Sequence, residues 1–377
     1  MTSSPTSLEH GSASAATTRL SIDLGAIAQN WRLMRNLSGS ARCGAAVKAD
    51  AYGTGAERTA PRLAREGCRD FFVADANEGA RLRPLLPDAR IYVLNGIFDG
   101  SFAQALAHDL IPVINSPEQA AFWRENAGTR AYALQIDTGM NRLGLTPEQA
   151  VAHAQAGFPA PALVMSHFAC ADDPGHPLNA RQIRIFDSLK PCFPGIETSL
   201  ANSAGIHLGP AAHCDLTRPG VALYGGEPVH GSPNRMASAV TAEARVLVVR
   251  HAKAGQAVSY GAAHSLTRDG RIAVCGVGYA DGFHRSGSGS GVPLRASVAQ
   301  GACGAINGAR IPVIGKITMD LTMFDVTDLP DGAVKAGDWV ELLGPTIALE
   351  EAATAAGTIS YELLTSLGRR HDRSYRD

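Results

Sequence analysis

Between residue 45 and about residue 220, short apolar β-rich runs alternate with stretches whose apolar positions recur every three or four residues. The runs begin near Ala45, Phe71, Ile91, Ile111, Ala131, Ala162, Ile196 and Cys214, about 18 to 34 residues apart. That interval is what a strand, a returning helix and two connections need. Helices are expected over 57–66, 116–126 and 146–155. Ser116-Pro117 and Thr146-Pro147 each set a capping hydroxyl before a proline at the first helical position. Eight such units predict an α/β fold, a (β/α)8 TIM-type barrel over 18–240. In almost every unit a polar residue stands at or just past the end of the apolar run: Lys48, Asp75, Asn95, Asn115, Asp137, His167, Asn202 and Arg218. Barrel enzymes assemble their sites at those strand ends. Solvated loops also follow strands with polar residues, and Asp75 and Asn115 are read in that plainer way.

Past about Thr241 the pattern changes. Runs such as ARVLVVRHAKAG, RIAVCGVGYADG and DWVELLG are β-like and broken by Gly and Pro. They predict a C-terminal mainly-β domain over 241–377. Ser286–Gly291 (SGSGSG) has neither the preceding strand nor the following helix of a nucleotide loop, so it reads as a flexible connection. Residues 1–17, rich in Ser, Thr and Ala, read as a disordered tail without the basic and apolar regions of a secretory signal.

Composition narrows the function classes. Lys+Arg number 34 against 35 Asp+Glu, a balance that provides no field for nucleic acid or an anionic membrane. No apolar run reaches the ~18 residues of a membrane span. The seven cysteines are odd in number and contain no C-x-x-C pair, which argues against a disulfide framework and a structural zinc site. No metal is expected, and the cytoplasm is the expected location.

Lys48, in AAVKADAYGTG, ends an apolar run where its ammonium is poorly hydrated. Desolvation lowers a lysine pKa and frees the amine as nucleophile or base. Tyr52 can turn a hydroxyl toward an anion, with Gly53 and Gly55 allowing close backbone approach. Alone, a strand-end lysine with its head in solvent is the simpler reading. Further segments change that: IDTGMNRLG (136–144), SHFACAD (166–172), NSAG (202–205), RPGVALYG (218–225), VSYG (258–261), GYADG (278–282), ITMD (317–320) and TISYE (358–362). Together, in this order and over both expected domains, they resemble the alanine racemase family.

The resemblance implies a barrel that binds pyridoxal 5′-phosphate, a following β domain, and a homodimer in which each site draws on both chains. It implies that Lys48 holds the cofactor as an imine and then acts as the base toward the D enantiomer. Tyr260, from the second chain, is the implied base toward the L enantiomer. Two bases suit racemisation, because a proton leaves one face of a planar carbanion and another arrives on the opposite face. A free tyrosine, with a pKa near ~10, needs help to serve at neutral pH. A chain Tyr260–His167–Arg218 is the implied help, and Arg218 also faces the pyridine nitrogen. Tyr52, Ser203, the amides of Gly220 and Val221, and Tyr361 are the implied phosphate partners; Arg142 and the Met319 amide are those of the substrate carboxylate. Tyr279 resembles a residue of the corridor leading in.

The sequence departs from the family at Gln135. Many members carry there a lysine, modified to a carbamate, that braces the arginine matching Arg142. A neutral amide is expected to hold Arg142 less firmly and so to weaken carboxylate binding. Competing readings are a racemase of broader specificity, a basic amino-acid decarboxylase, and a non-catalytic cofactor-binding barrel. The last lacks a second domain, which VSYG, ITMD and TISYE argue for here. Supply of D-alanine for peptidoglycan is the family's usual purpose, and a catabolic role is equally compatible.

Overall fold

The computed structural model describes residues 15–292 and 301–377. The expected tail lies outside them except for its last three residues. The chain divides into two compact units. One holds Ile22–Thr241, Leu343–Leu367 and Tyr375–Asp377; the other holds the described residues of Ala242–Leu342, Gly368–Ser374 and those before Ile22. By packing, then, residues 343–367 group with the barrel, although the sequence pattern sets them beside the β strands of 241–377.

In the first unit all eight expected runs form strands. Ala45–Ala46, Asp70–Val73, Arg90–Val93, Ile111–Ile114, Ala133–Gln135, Leu163–Met165 and Thr198–Ser199 pair in sequence order, every neighbour parallel. Leu216–Thr217 closes the ring by pairing with Arg42–Cys43. Its flanks bond to both neighbours: the Asp215 amide donates to the Thr198 carbonyl and the Ala46 amide to the Pro219 carbonyl, each at 2.9 Å. Helices at Ala56–Arg65, Pro117–Ala127 and Pro147–Gln155 follow the expected positions. The caps are made as the sequence suggests. Ser116 Oγ accepts from the Gln119 amide, and Thr146 and Gln149 cap one another reciprocally.

Charge at the start of the barrel strands and chemistry at their ends are well separated. Asp70, 1% exposed, lies between the guanidinium groups of Arg90 (2.7 Å) and Arg42 (3.4 Å), and Arg42 also grips Glu197 with both Nη atoms. Inside the ring, the register partners Phe72 and Tyr92 stack at 4.7 Å.

Among the described residues the second unit is built on an eight-stranded sheet in which Gly270–Cys275 runs antiparallel to both Val240–Ala252 and Thr322–Asp325. Buried Asp281 receives Arg370 Nε at 2.8 Å, and Arg370 also reaches Asp320 at 2.7 Å. The Ser286–Gly291 segment is not the free connection expected. Ser288 is fully buried and accepts from the Ile317 amide, and Gly289 lies so close to Val313 that a side chain would not fit. Small residues here permit close packing as well as freedom.

Candidate active site

Past the C-terminal ends of the barrel strands lies a cavity of about 920 Å³. Lys48, Tyr52, Arg142, His167, Ser203, Arg218, Gly220 and Tyr361 line it together. Of the other strand-end residues, Asn95, Asn115, Asp137 and Asn202 join them. Asp75 does not: its carboxylate caps the helix Ala76–Leu82 by accepting from the Asn77 and Glu78 amides. Asn115 is braced structurally, its Nδ2 donating to the Leu94 and Val113 carbonyls.

Lys48 leaves the first strand into an unusual turn. Ala49, Asp50, Ala51 and Tyr52 all have φ of 53–54°, a left-handed turn made of non-glycine residues, which continues into Gly53 at φ 79°. Gly53 is required, since a Cβ there would collide with the Leu364 carbonyl. Burial, followed by the nearby Arg142 cation, holds the Lys48 ammonium below its ordinary pKa.

The turn delivers Tyr52 under Tyr224, the rings stacked at 4.7 Å. The Tyr52 hydroxyl lies against Gly220, where a Cβ would strike it. Ser203 Oγ accepts from the amides of Gly220 (2.8 Å) and Ala222 (3.4 Å). Val221, between them, begins the 3-10 turn Val221–Tyr224, and its N–H has no acceptor among the described residues. Two hydroxyls and the Val221 amide thus share one corner, a donor set suited to an anion, while the Gly220 amide expected there is taken by Ser203 Oγ.

Arg218 is 5% exposed, and among the described residues no carboxylate pairs with it. It donates to Ser199 Oγ, to the Ser166 carbonyl at 2.6 Å and to His167 Nδ1 at 3.3 Å. Burial lowers its pKa to about 10, so it remains a cation at neutral pH. Because guanidinium only donates, His167 Nδ1 must accept, and a neutral ring then carries its proton on Nε2. Burial, then Arg218, Arg142 and Lys48, push His167 down to about 3. It is neutral at physiological pH.

Two features go beyond the roles that the sequence suggested. Asp137 binds the amides of Gly139, Met140 and Arg142 through its carboxylate, a turn that D-T-G could have signalled. Thr358, Ile359, Glu362 and Thr365, neighbours of Tyr361, also line the cavity. The Arg142 guanidinium and the Gln135 side chain have no hydrogen-bond partner among the described residues. Among those residues no group of His, Cys, Asp and Glu could hold a metal.

The remaining expected residues belong to the second unit. Tyr260 begins a 3-10 turn and is 72% exposed. Tyr279 and Met319 are brought together there: the Tyr279 amide donates to the Thr318 carbonyl and the Ala280 amide to that of Met319. The Met319 N–H has no acceptor among the described residues.

The family profile for the N-terminal domain of alanine racemase matches residues 22–228, and that for its C-terminal domain matches 239–375. An alanine racemase of Rhizobium meliloti is 52% identical, covering 96% of this chain and 97% of its own. A biosynthetic alanine racemase of Agrobacterium fabrum is also 52% identical, over 96% and 94%. The crystal structure of alanine racemase from Bartonella henselae with covalently bound pyridoxal phosphate superposes with a TM-score of 0.88 at 35% identity, covering 96% of this chain and 100% of that one. Barrel, strand-end cavity and both matched domains lead to one conclusion: the chain belongs to the alanine racemase family.

Proposed function

We propose that the protein is an isomerase that interconverts L- and D-alanine with pyridoxal 5′-phosphate, and that it does so as a homodimer with shared sites. The observation that carries the reading is a single cavity that gathers a lysine of lowered pKa, a buried guanidinium and a corner of hydroxyls and amides. That set fits a phosphorylated pyridine aldehyde. Lys48 supplies the amine for the aldehyde. Tyr52, Ser203, Tyr361 and the Val221 amide would hold the phosphate, joined by the Gly220 amide where the phosphate replaces Ser203 Oγ as its acceptor. The Arg218 Nε–H, which has no acceptor among the described residues, suits the ring nitrogen.

The cofactor, when bound, supplies the electron sink that makes an amino-acid α-proton acidic. The chain's own residues decide which proton moves and where. Lys48 Nζ, easily deprotonated in its buried setting, takes the α-proton on the D side. Tyr260 Oη of a second copy serves the L side. His167, pinned by Arg218 as its Nε2–H tautomer, is left with a donor that favours a tyrosinate on that side. Arg218 stays protonated and can donate to the ring without giving up its proton, which favours return of the proton to Cα. Arg142 and the Met319 amide orient the substrate carboxylate.

Seven free cysteines support a reducing, cytoplasmic setting. Among the described residues no helix is long and apolar enough to cross a membrane. The Agrobacterium relative's biosynthetic role supports D-alanine supply for peptidoglycan.

Chiral chromatography of L-alanine incubated with the protein and pyridoxal phosphate, with L-serine and L-lysine in parallel, tests this reading. Alanine should reach equal enantiomers while the other two remain largely unchanged. Equally rapid serine or lysine racemisation would widen the specificity. Retention of L-alanine alongside bound cofactor would replace catalysis with cofactor carriage.

A further inference from the structure

We propose that Glu78 is a positioning residue, whose carboxylate clamps the left-handed turn carrying Lys48 against the end of the neighbouring strand. The proposal rests on the reading of Lys48 as the D-side base. Glu78 occupies the first turn of the helix Ala76–Leu82, where an acidic residue commonly reaches back to its own cap. Here the cap is provided by Asp75, which frees Glu78 for other partners. Glu78 Oε2 accepts from the Ala74 amide and Oε1 from the Ala49 amide, both at 2.7 Å. Ala74 directly follows the strand Asp70–Val73, and Ala49 directly follows Lys48. One carboxylate therefore joins two consecutive barrel strands at the point where the catalytic lysine departs.

The turn has reason to need such a clamp. Ala49 is the first of its four left-handed non-glycine residues, a conformation alanine does not favour. The far end is also held by a carboxylate, with Asp50 Oδ1 accepting from the Ala56 amide at 2.8 Å. Charge matters as well as geometry. The groups about Lys48 are Glu78, Arg142, Asp137, His167, Arg218 and Tyr52, and the Glu78 anion opposes the effect of the Arg142 cation on the lysine. A glutamine at this position keeps the shape but has a single acceptor oxygen. Its NH₂ would face one of the two amides donor to donor.

Two readouts on Glu78→Gln test the clamp, with Glu78→Ala as the second variant. The first is amide hydrogen exchange across residues 48–55 of the cofactor-free protein. The second is α-hydrogen exchange of D- and of L-alanine in D₂O by the cofactor-loaded enzyme. Protection of the turn should fall about tenfold or more while the other barrel strands keep theirs. Exchange from D-alanine should fall about tenfold further than exchange from L-alanine. Unchanged protection of the turn, protection lost throughout the barrel, or equal loss for the two enantiomers would overturn the proposal. Lys48→Ala, measured alongside, separates the two claims. If it retains exchange from D-alanine, the reading of Lys48 as the base has failed, and amide exchange alone then decides whether Glu78 holds the turn.

Discussion

Gln135 ends the strand Ala133–Gln135, is 9% exposed and lines the cavity, yet its amide bonds to nothing among the described residues. The Arg142 guanidinium is equally unbraced there. Its backbone is held, because Asp137 takes the Arg142 amide at 3.1 Å, but nothing in the loop fixes the side chain. An arginine that must be ordered by its substrate gives up rotamer freedom on binding, which weakens the complex. Gln135→Lys, once modified to a carbamate, would supply an anionic acceptor and order the guanidinium beforehand. KM for alanine should fall severalfold, roughly the net effect of one ordinary hydrogen bond of about 1 kcal/mol. An unchanged or raised KM would mean that Arg142 needs no brace. At this scale the sequence was informative, since the departure at residue 135 is visible in the string. It was silent about Glu78, because an Ala49 amide bonded across 29 residues of sequence leaves no local mark.

Among the elements, the left-handed turn is the least expected. In a peptide, each non-glycine residue in this conformation costs roughly 1–2 kcal/mol. Nothing in V-K-A-D-A-Y foretells it, apart from the two glycines that follow. The surrounding structure maintains it through Glu78, Asp50 and the Gly53–Leu364 approach. Ala49 is exposed, so Ala49→Gly removes the steric penalty without opening a cavity. Glycine also enlarges the unfolded ensemble, which offsets part of that gain. Urea unfolding of the cofactor-free protein should show the variant unchanged or more stable by up to about 1 kcal/mol. A loss beyond about 1 kcal/mol would show that the turn is not strained in this way. The eight barrel strands and the helices Ala56–Arg65, Pro117–Ala127 and Pro147–Gln155, by contrast, were legible, because their periodicities and caps are local properties of the chain.

On the scale of the whole molecule, the proposed bases belong to different compact units: Lys48 to the barrel and Tyr260 to the β unit. If each site draws Lys48 from one copy and Tyr260 from another, inactive Lys48→Ala and Tyr260→Phe homodimers should complement one another. Random exchange of subunits leaves about one site in four with both native residues, and racemisation should recover to about that fraction. No recovery, with exchange of subunits verified by labelling, would place both bases within one copy. The chain by itself determined the eight βα units, the strand ends that carry polar residues, the β-rich C-terminal region and the family. Each is written in short-range patterns or ordered motifs that survive without three-dimensional context. Tertiary structure alone decided that Leu343–Leu367 groups with the barrel, that Ser288 is buried, that His167 carries its proton on Nε2, and that a glutamate 29 residues along the chain accepts from the Ala49 amide. Those outcomes depend on which distant atoms come within hydrogen-bonding reach, and long-range proximity is set by the closed barrel rather than by neighbouring residues in the chain.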